Sequence, residues 1–167
     1  VALHYLERYS SSSENLRRVL MRRVERSARA HGTDREEGAA AIDAIVTKFQ
    51  EYGYLNDRAY AEMRAGSLFR RGSSLRVIRY QLSLKGITCD IVDAVIADLM
   101  EEEPDPDRRA AVAYGRRRRI GPWRRDRRDE FRDRDLAALG RQGFSYDIAR
   151  WIVHAETPDV LEAFIDN

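Results

Sequence analysis

Arginine is the residue type with the widest scope for chemistry in this sequence. Of its 30 cations only Lys48 and Lys85 are lysine. A guanidinium is a planar fork that grips carboxylates and phosphates through paired N–H donors and lies flat on aromatic rings. A GC-rich genome, whose codons favour arginine, would give the same bias, so position says more than number. Arg64 to Lys85 holds Arg64, Arg70, Arg71, Arg76, Arg79 and Lys85 with no acid between them. Arg116 to Arg134 holds ten arginines against Asp126, Asp129, Glu130 and Asp133. Leu16 to Arg29 adds six more against Glu25, whereas Asp90 to Asp107 holds eight acids and no cation. The net charge of +2 hides this sorting. Alternating basic and acidic stretches predict a basic face and a separate acidic one. Solvated helix faces would produce the same runs.

Catalytic constellations are missing. There is no G-x-x-x-x-G-K-[ST] phosphate loop and no G-x-S-x-G elbow. His4, His31 and His154 stand far apart, without H-x-x-x-H or H-E-x-x-H spacing. Glu101, Glu102 and Glu103 read as a solvated helix end before Pro104. The lone Cys89 precedes Asp90, whose charge disfavours a thiolate, and reads as a packed or idle thiol. No enzyme, metal or cofactor is expected. No apolar run approaches the roughly 20 residues of a membrane span, and the start VALHYLERYS is no signal peptide. A soluble, cytoplasmic protein is the expectation. The opening on Val1 rather than Met is compatible with a missing N-terminal tail.

The elements that must carry these arginines are helices throughout, because apolar spacing is helical and no strand-like alternation appears. Ala2 to Tyr9 reads as a short helix with Leu3 and Leu6 inward, and the serine run 10–13 caps the next, which Gly32 stops. Asp34 with Glu37 forms a capping box before the stripe Ile42, Ile45, Val46, Phe49. Further helices are expected to start at Asp57, at Ser73 or Ser74, at Asp90 and at Asp107. A long one is expected from about Arg124 to Gln142, and another after Ser145, with a short terminal helix at 158–165. Tyr80, with Val77 and Leu84, is expected to pack on a neighbouring unit, and Trp123 to plug a loop.

The pattern recurs. Residues 82–96 (LSLKGITCDIVDAVI) and 139–153 (LGRQGFSYDIARWIV) share leucine, glycine, aspartate and isoleucine at a constant shift of 57. Leucine packs, glycine turns the chain left-handed, and aspartate lies near the next helix start. The expected fold is all-α: three tandem three-helix repeats in an elongated array, open to curvature. Their spans are 1–55, 56–104 and 105–157, followed by a short tail or helix at 158–167.

On the helix from Ser74 to Gly86, Arg76, Arg79 and Lys85 stand off the Leu75/Ile78/Leu82 stripe, with Arg70 and Arg71 just before it. Arg116 to Arg119 end one helix, where cations suit the macrodipole. Arg124, Arg125, Arg127 and Arg128 are expected to begin the next, where cations do not, and such local conflicts mark functional surfaces. The candidate partner- or DNA-binding residues are Arg70, Arg71, Arg76, Arg79, Lys85, Arg117, Arg118, Arg124, Arg125 and Arg128. Intrahelical pairing with Asp126, Asp129 and Asp133 is the bland alternative.

The segment FQEYGYLNDRAYAEMRAGSLFRRGSSLRVIRYQLSLKGI (49–87) resembles the RecX family of recombination regulators, most specifically in Gly53-Tyr54-Leu55-Asn56-Asp57 and in Leu82 to Ile87. The opening ALHYLERYSSSSENLRRVLMRRV and the late LAALGRQGFSYDIARWIV fit the same family. The resemblance implies a small, non-enzymatic, cytoplasmic modulator of the RecA recombinase, built of three helical repeats and active in DNA repair, recombination and the SOS response. It implies binding in the groove of the RecA–DNA filament and inhibition of its ATPase, strand-exchange and coprotease activities. Such a filament offers both DNA phosphates and acidic protein surface, and the arginine forks of the basic face suit either, with single- or double-stranded DNA the expected contact beside RecA. A monomer is expected. Two other readings stay open: a helical-repeat DNA-binding protein acting independently of RecA, and an interaction scaffold whose charges only solubilise it.

Overall fold

The computed structural model describes residues 2–166. Their regular structure is ten α-helices and one 3-10 turn, with no strand among the described residues, so the chain has the expected all-α class. The helices are α1 (Ala2–Leu6), α2 (Ser13–His31), α3 (Arg35–Glu51), α4 (Asp57–Arg70), α5 (Leu75–Leu84), α6 (Cys89–Glu102), α7 (Pro106–Arg118), α8 (Arg132–Arg141), α9 (Tyr146–His154) and α10 (Pro158–Asp166). The 3-10 turn, Gly121–Trp123, lies between α7 and α8.

Helix starts follow the short polar residues. The Ser12 hydroxyl accepts from the Asn15 N–H, and the Asp34 carboxylate from Glu36 and Glu37. The Ser145 hydroxyl accepts from Ile148 and the Asp105 carboxylate from Arg108. Asp57 and Asp107 do not cap their own helices. Asn56 does so for α4, accepting from Ala59 at 2.9 Å, and both aspartates serve helices that precede them in the chain.

One expected helix is half absent: α8 begins at Arg132, not Arg124. Eleven residues of α-helix would hold Arg124 about 16 Å from Asp135 along the axis. Instead the Arg124 Nη2 and Nε donate to that carboxylate at 2.6 and 3.3 Å, and the Gly121 N–H donates to it at 3.1 Å. The chain between them turns on Arg127, whose φ is 47°. Leu3, Tyr80 and Leu84 depart from expectation too: all three are exposed. Cys89 is exposed, so it is not a packed thiol. Trp123 does plug its loop, packed on the core with its Nε1 donating to Glu162 at 3.1 Å.

Packing divides the chain into two compact units. The first takes the chain up to Met63 together with Leu82–Val92, and the second takes Arg64–Gln81 together with the chain from Asp93 onward. In the first, α2 and α3 bury Leu16, Leu20, Ile42 and Val46, joined by Leu55. Phe49, Val24 and Tyr5 pack around these. The second is centred on Ala110, Ala111, Val112, Leu139, Phe144, Ile152 and Leu161, all buried, with Phe69 and Trp151 against them.

The same polar joint occurs once in each unit. In the first, the Ser12 hydroxyl donates to the Lys85 carbonyl at 2.5 Å, while the Ser13 N–H donates to Asp57 at 2.7 Å. In the second, the Ser74 hydroxyl donates to the Gln142 carbonyl at 2.8 Å, while the Leu75 N–H donates to Asp107 at 2.8 Å. Each accepting carbonyl precedes a left-handed glycine, Gly86 at φ 73° or Gly143 at φ 88°. A methyl group on either would lie within 2.4 Å of the opposing helix start, against Glu14 or Ser74. Glycine is therefore required twice over, by conformation and by closeness. At the shift of 57 residues Ser74 corresponds to Phe131, which opens α8 with no side-chain cap. The joint is not repeated there.

Burial pushes the Asp107 carboxyl above the ordinary 3.8, against the pull of the Leu75 N–H, and the neighbouring Asp105 adds to the rise. An acid whose value is raised by folding stabilises the fold below its unfolded value and loses that contribution as pH rises through the folded one. Asp107→Asn keeps an oxygen for the Leu75 N–H but cannot ionise. Urea unfolding of both proteins across a pH series should show the variant gaining on the wild type as pH climbs from 3.8. A constant gap would contradict this assignment.

Candidate nucleic-acid interface

Two surfaces carry more exposed arginine than nearby carboxylate, one in each unit. On α2 the first turns are neutralised: Arg17 reaches Asp43 at 2.9 Å, and Arg18 reaches Glu14 at 2.9 Å and the Leu84 carbonyl at 2.8 Å. Further along, Arg22, Arg23, Arg26 and Arg29 are exposed, and none has a carboxylate within ion-pair distance among the described residues. Glu25, the acid between them, faces Arg35 at 3.7 Å. These arginines line two adjoining shallow depressions along the helix. Arg22 and Arg29 project from the side opposite Leu16 and Leu20, which the core requires, with Arg26 at the edge of that side, so the spacing that buries one face exposes the other; Arg23, three residues after Leu20, is exposed although it shares the leucine side.

In the second unit six arginines surround one pocket of about 380 Å³: Arg117, Arg118, Arg119, Arg124, Arg134 and Arg141. Its one acid is Asp135. That carboxylate is buried and already accepts from Arg124 and Gly121, so it offers the other five little relief. Phe131 forms an apolar wall, and the Arg124 guanidinium stacks 4.3 Å from its ring centre. The pocket exists because α7 ends on Arg119 in a left-handed turn, φ 54°, that buries Ile120 and leaves Arg117 to Arg119 outside.

The residues singled out from sequence fall into three groups. Arg117, Arg118 and Arg124 meet in this pocket. Arg70, Arg71, Arg76 and Arg125 are exposed, with Arg76 beside the Gly143 turn that follows α8. The rest are engaged. Arg79 pairs with Asp93, and the Lys85 ammonium donates to Asn15 at 3.3 Å. Arg128 donates to the carbonyls of Val153, Ala155 and Glu156, closing the C-terminus of α9. The candidate set from sequence omits Arg119, Arg134 and Arg141, and likewise Arg22, Arg23, Arg26 and Arg29. Seven residues separate Arg134 from Arg141, and Arg22, Arg26 and Arg29 fall at i, i+4, i+7, so single-face spacing was the available signal.

The arrangement suits a polyanion: fixed positive charge, planar donors, and little protein carboxylate to compete. A family model described as the second three-helix domain of RecX matches residues 56–96. The regulatory protein RecX of Myxococcus xanthus is 46% identical over 154 residues, spanning 91% of this chain and 81% of that protein. The chain belongs to the RecX family. Regulatory protein RecX of Agrobacterium fabrum is 28% identical over 170 residues, covering 99% of this chain and 86% of its own. That of Streptomyces coelicolor is 28% identical over 120 residues, 71% of this chain and 62% of its own. No solved structure matches the chain significantly. The RecX model spans α4, α5 and the start of α6, the stretch that carries Ser74 and Gly86. No helix among the described residues of this RecX chain is long and apolar enough to cross a membrane.

Proposed function

We propose that this RecX-type regulator binds the filament that the RecA recombinase forms on DNA, and that it inhibits the filament's ATPase, strand-exchange and coprotease activities. Kinship with proteins named regulatory protein RecX supports the reading. The observation that carries it further is the pair of uncompensated arginine surfaces, on α2 and around the pocket between α7 and α8. A nucleoprotein filament presents phosphates along its whole length, and exposed guanidiniums without carboxylate partners are suited to them. The proposed contact set is Arg22, Arg23, Arg26 and Arg29 in the first unit. In the second it is Arg70, Arg71, Arg76, Arg117, Arg118 and Arg125. The protein acts in the cytoplasm, without catalysis of its own.

The test is purified RecA assembled on single-stranded DNA. Stoichiometric addition of the chain should depress ATP hydrolysis, and unchanged hydrolysis would overturn the reading. The α2 stripe also favours a second reading, a DNA-binding protein that needs no RecA. Tight binding to bare DNA with a steep salt dependence, and no further gain when RecA is present, would support that alternative.

A further inference from the structure

We propose that the pocket between α7 and α8 is a binding site for a compact polyphosphate, the triphosphate tail of a nucleotide or inorganic tripolyphosphate. The two arginine surfaces differ in shape, and the difference fits the pocket interior to a further ligand besides the filament phosphates proposed for its rim. On α2, Arg22, Arg26 and Arg29 climb the helix at about 5 Å per turn, a spacing for an extended chain of single charges. The pocket instead gathers six arginines around one cavity, one of them already held by Asp135. A ligand with several negative charges on adjacent phosphorus atoms matches that convergence, whereas a phosphodiester chain would bring its charges past one at a time.

The site is built. Asp135, 3% exposed, fixes Arg124 through two hydrogen bonds and ties the Gly121 N–H to the same carboxylate. Arg119 is held at φ 54°, an unfavourable conformation for a residue with a side chain, and it places three successive arginines at the rim. Arg134 and Arg141 project from one side of α8 and have no carboxylate partner among the described residues. Phe131 is flanked by the guanidiniums of Arg124, Arg127 and Arg134, which leaves no clear ring face for a base. Recognition therefore falls on the phosphates and not on the nucleobase. The inference does not depend on any contact with RecA.

The experiment is calorimetric titration of the intact chain at fixed ionic strength with sodium tripolyphosphate, ATP, orthophosphate and a single-stranded oligonucleotide. Tripolyphosphate and ATP should bind alike, each at least about tenfold more tightly than orthophosphate. The exposed double variant Arg134→Ala with Arg141→Ala should weaken both by about tenfold or more, while Arg22→Ala with Arg26→Ala should leave both unchanged. Several results would overturn the site. Orthophosphate binding as tightly as tripolyphosphate would mean charge screening only. ATP binding without tripolyphosphate binding would mean base recognition. An α8 double variant that weakens only the oligonucleotide would mean a phosphodiester surface. No RecA is present, so each outcome leaves the proposed regulation of the filament untouched.

Discussion

Asp135→Ala should lower the stability of the second unit by about 3 kcal/mol, because it leaves an enclosed arginine and a buried backbone N–H without their acceptor. The Asp135 carboxylate is nine-tenths enclosed or more and takes three donors, Gly121 N–H, Arg124 Nε and Arg124 Nη2. Asp135→Asn should lose nearly as much, since its amide presents donors to a guanidinium that has only donors. Arg124→Ala exposes the same pair from the other side, and combining it with Asp135→Ala should cost clearly less than the sum. Asp133→Ala, two residues away and exposed, should change stability by no more than about 0.5 kcal/mol. Urea unfolding measures all five variants. A wild-type midpoint for Asp135→Ala would mean that the loop 121–131 is held by something else.

The second large effect lies on α2. Replacing Arg22, Arg26 and Arg29 with glutamine removes three cations that make no ion pair and retains good helix formers. If each meets one phosphate of single-stranded DNA, each contributes about 0.7 to the slope of log affinity against log salt. Three contacts then amount to about two units of slope and, at about 0.1 M salt, about 100-fold in affinity. Binding measured by fluorescence anisotropy across a salt series should show both changes, with thermal unfolding unmoved. An unchanged slope would remove α2 from the interface.

Much of the fold is legible in the sequence because its signals are local. Ser12, Asp34 and Ser145 cap within three residues, and the glycines at 32, 86 and 143 turn the chain where the helices stop. The failures are long-range. Asp57 and Asp107 sit where a cap belongs, yet their carboxylates are used 44 and 32 residues away. Residues 124–131 carry charges at helical spacing, and nothing local announces that Arg124 closes on Asp135 instead. The pocket was invisible for the same reason. Its arginines come from α7, the following loop and α8, and only the turn at Arg119 and the clamp at Asp135 bring them to one place. Arg128, one of the residues the charge run pointed to, ends up holding carbonyls at the end of α9.

The near-absence of lysine sets how such surfaces can be tuned. A guanidinium is no substrate for lysine acetyltransferases, so acetylation cannot dim the charge on α2 or around the pocket. Ions in solution remain the dial. Attachment of any phosphate-bearing partner should track the surrounding concentrations of salt, magnesium and polyamines.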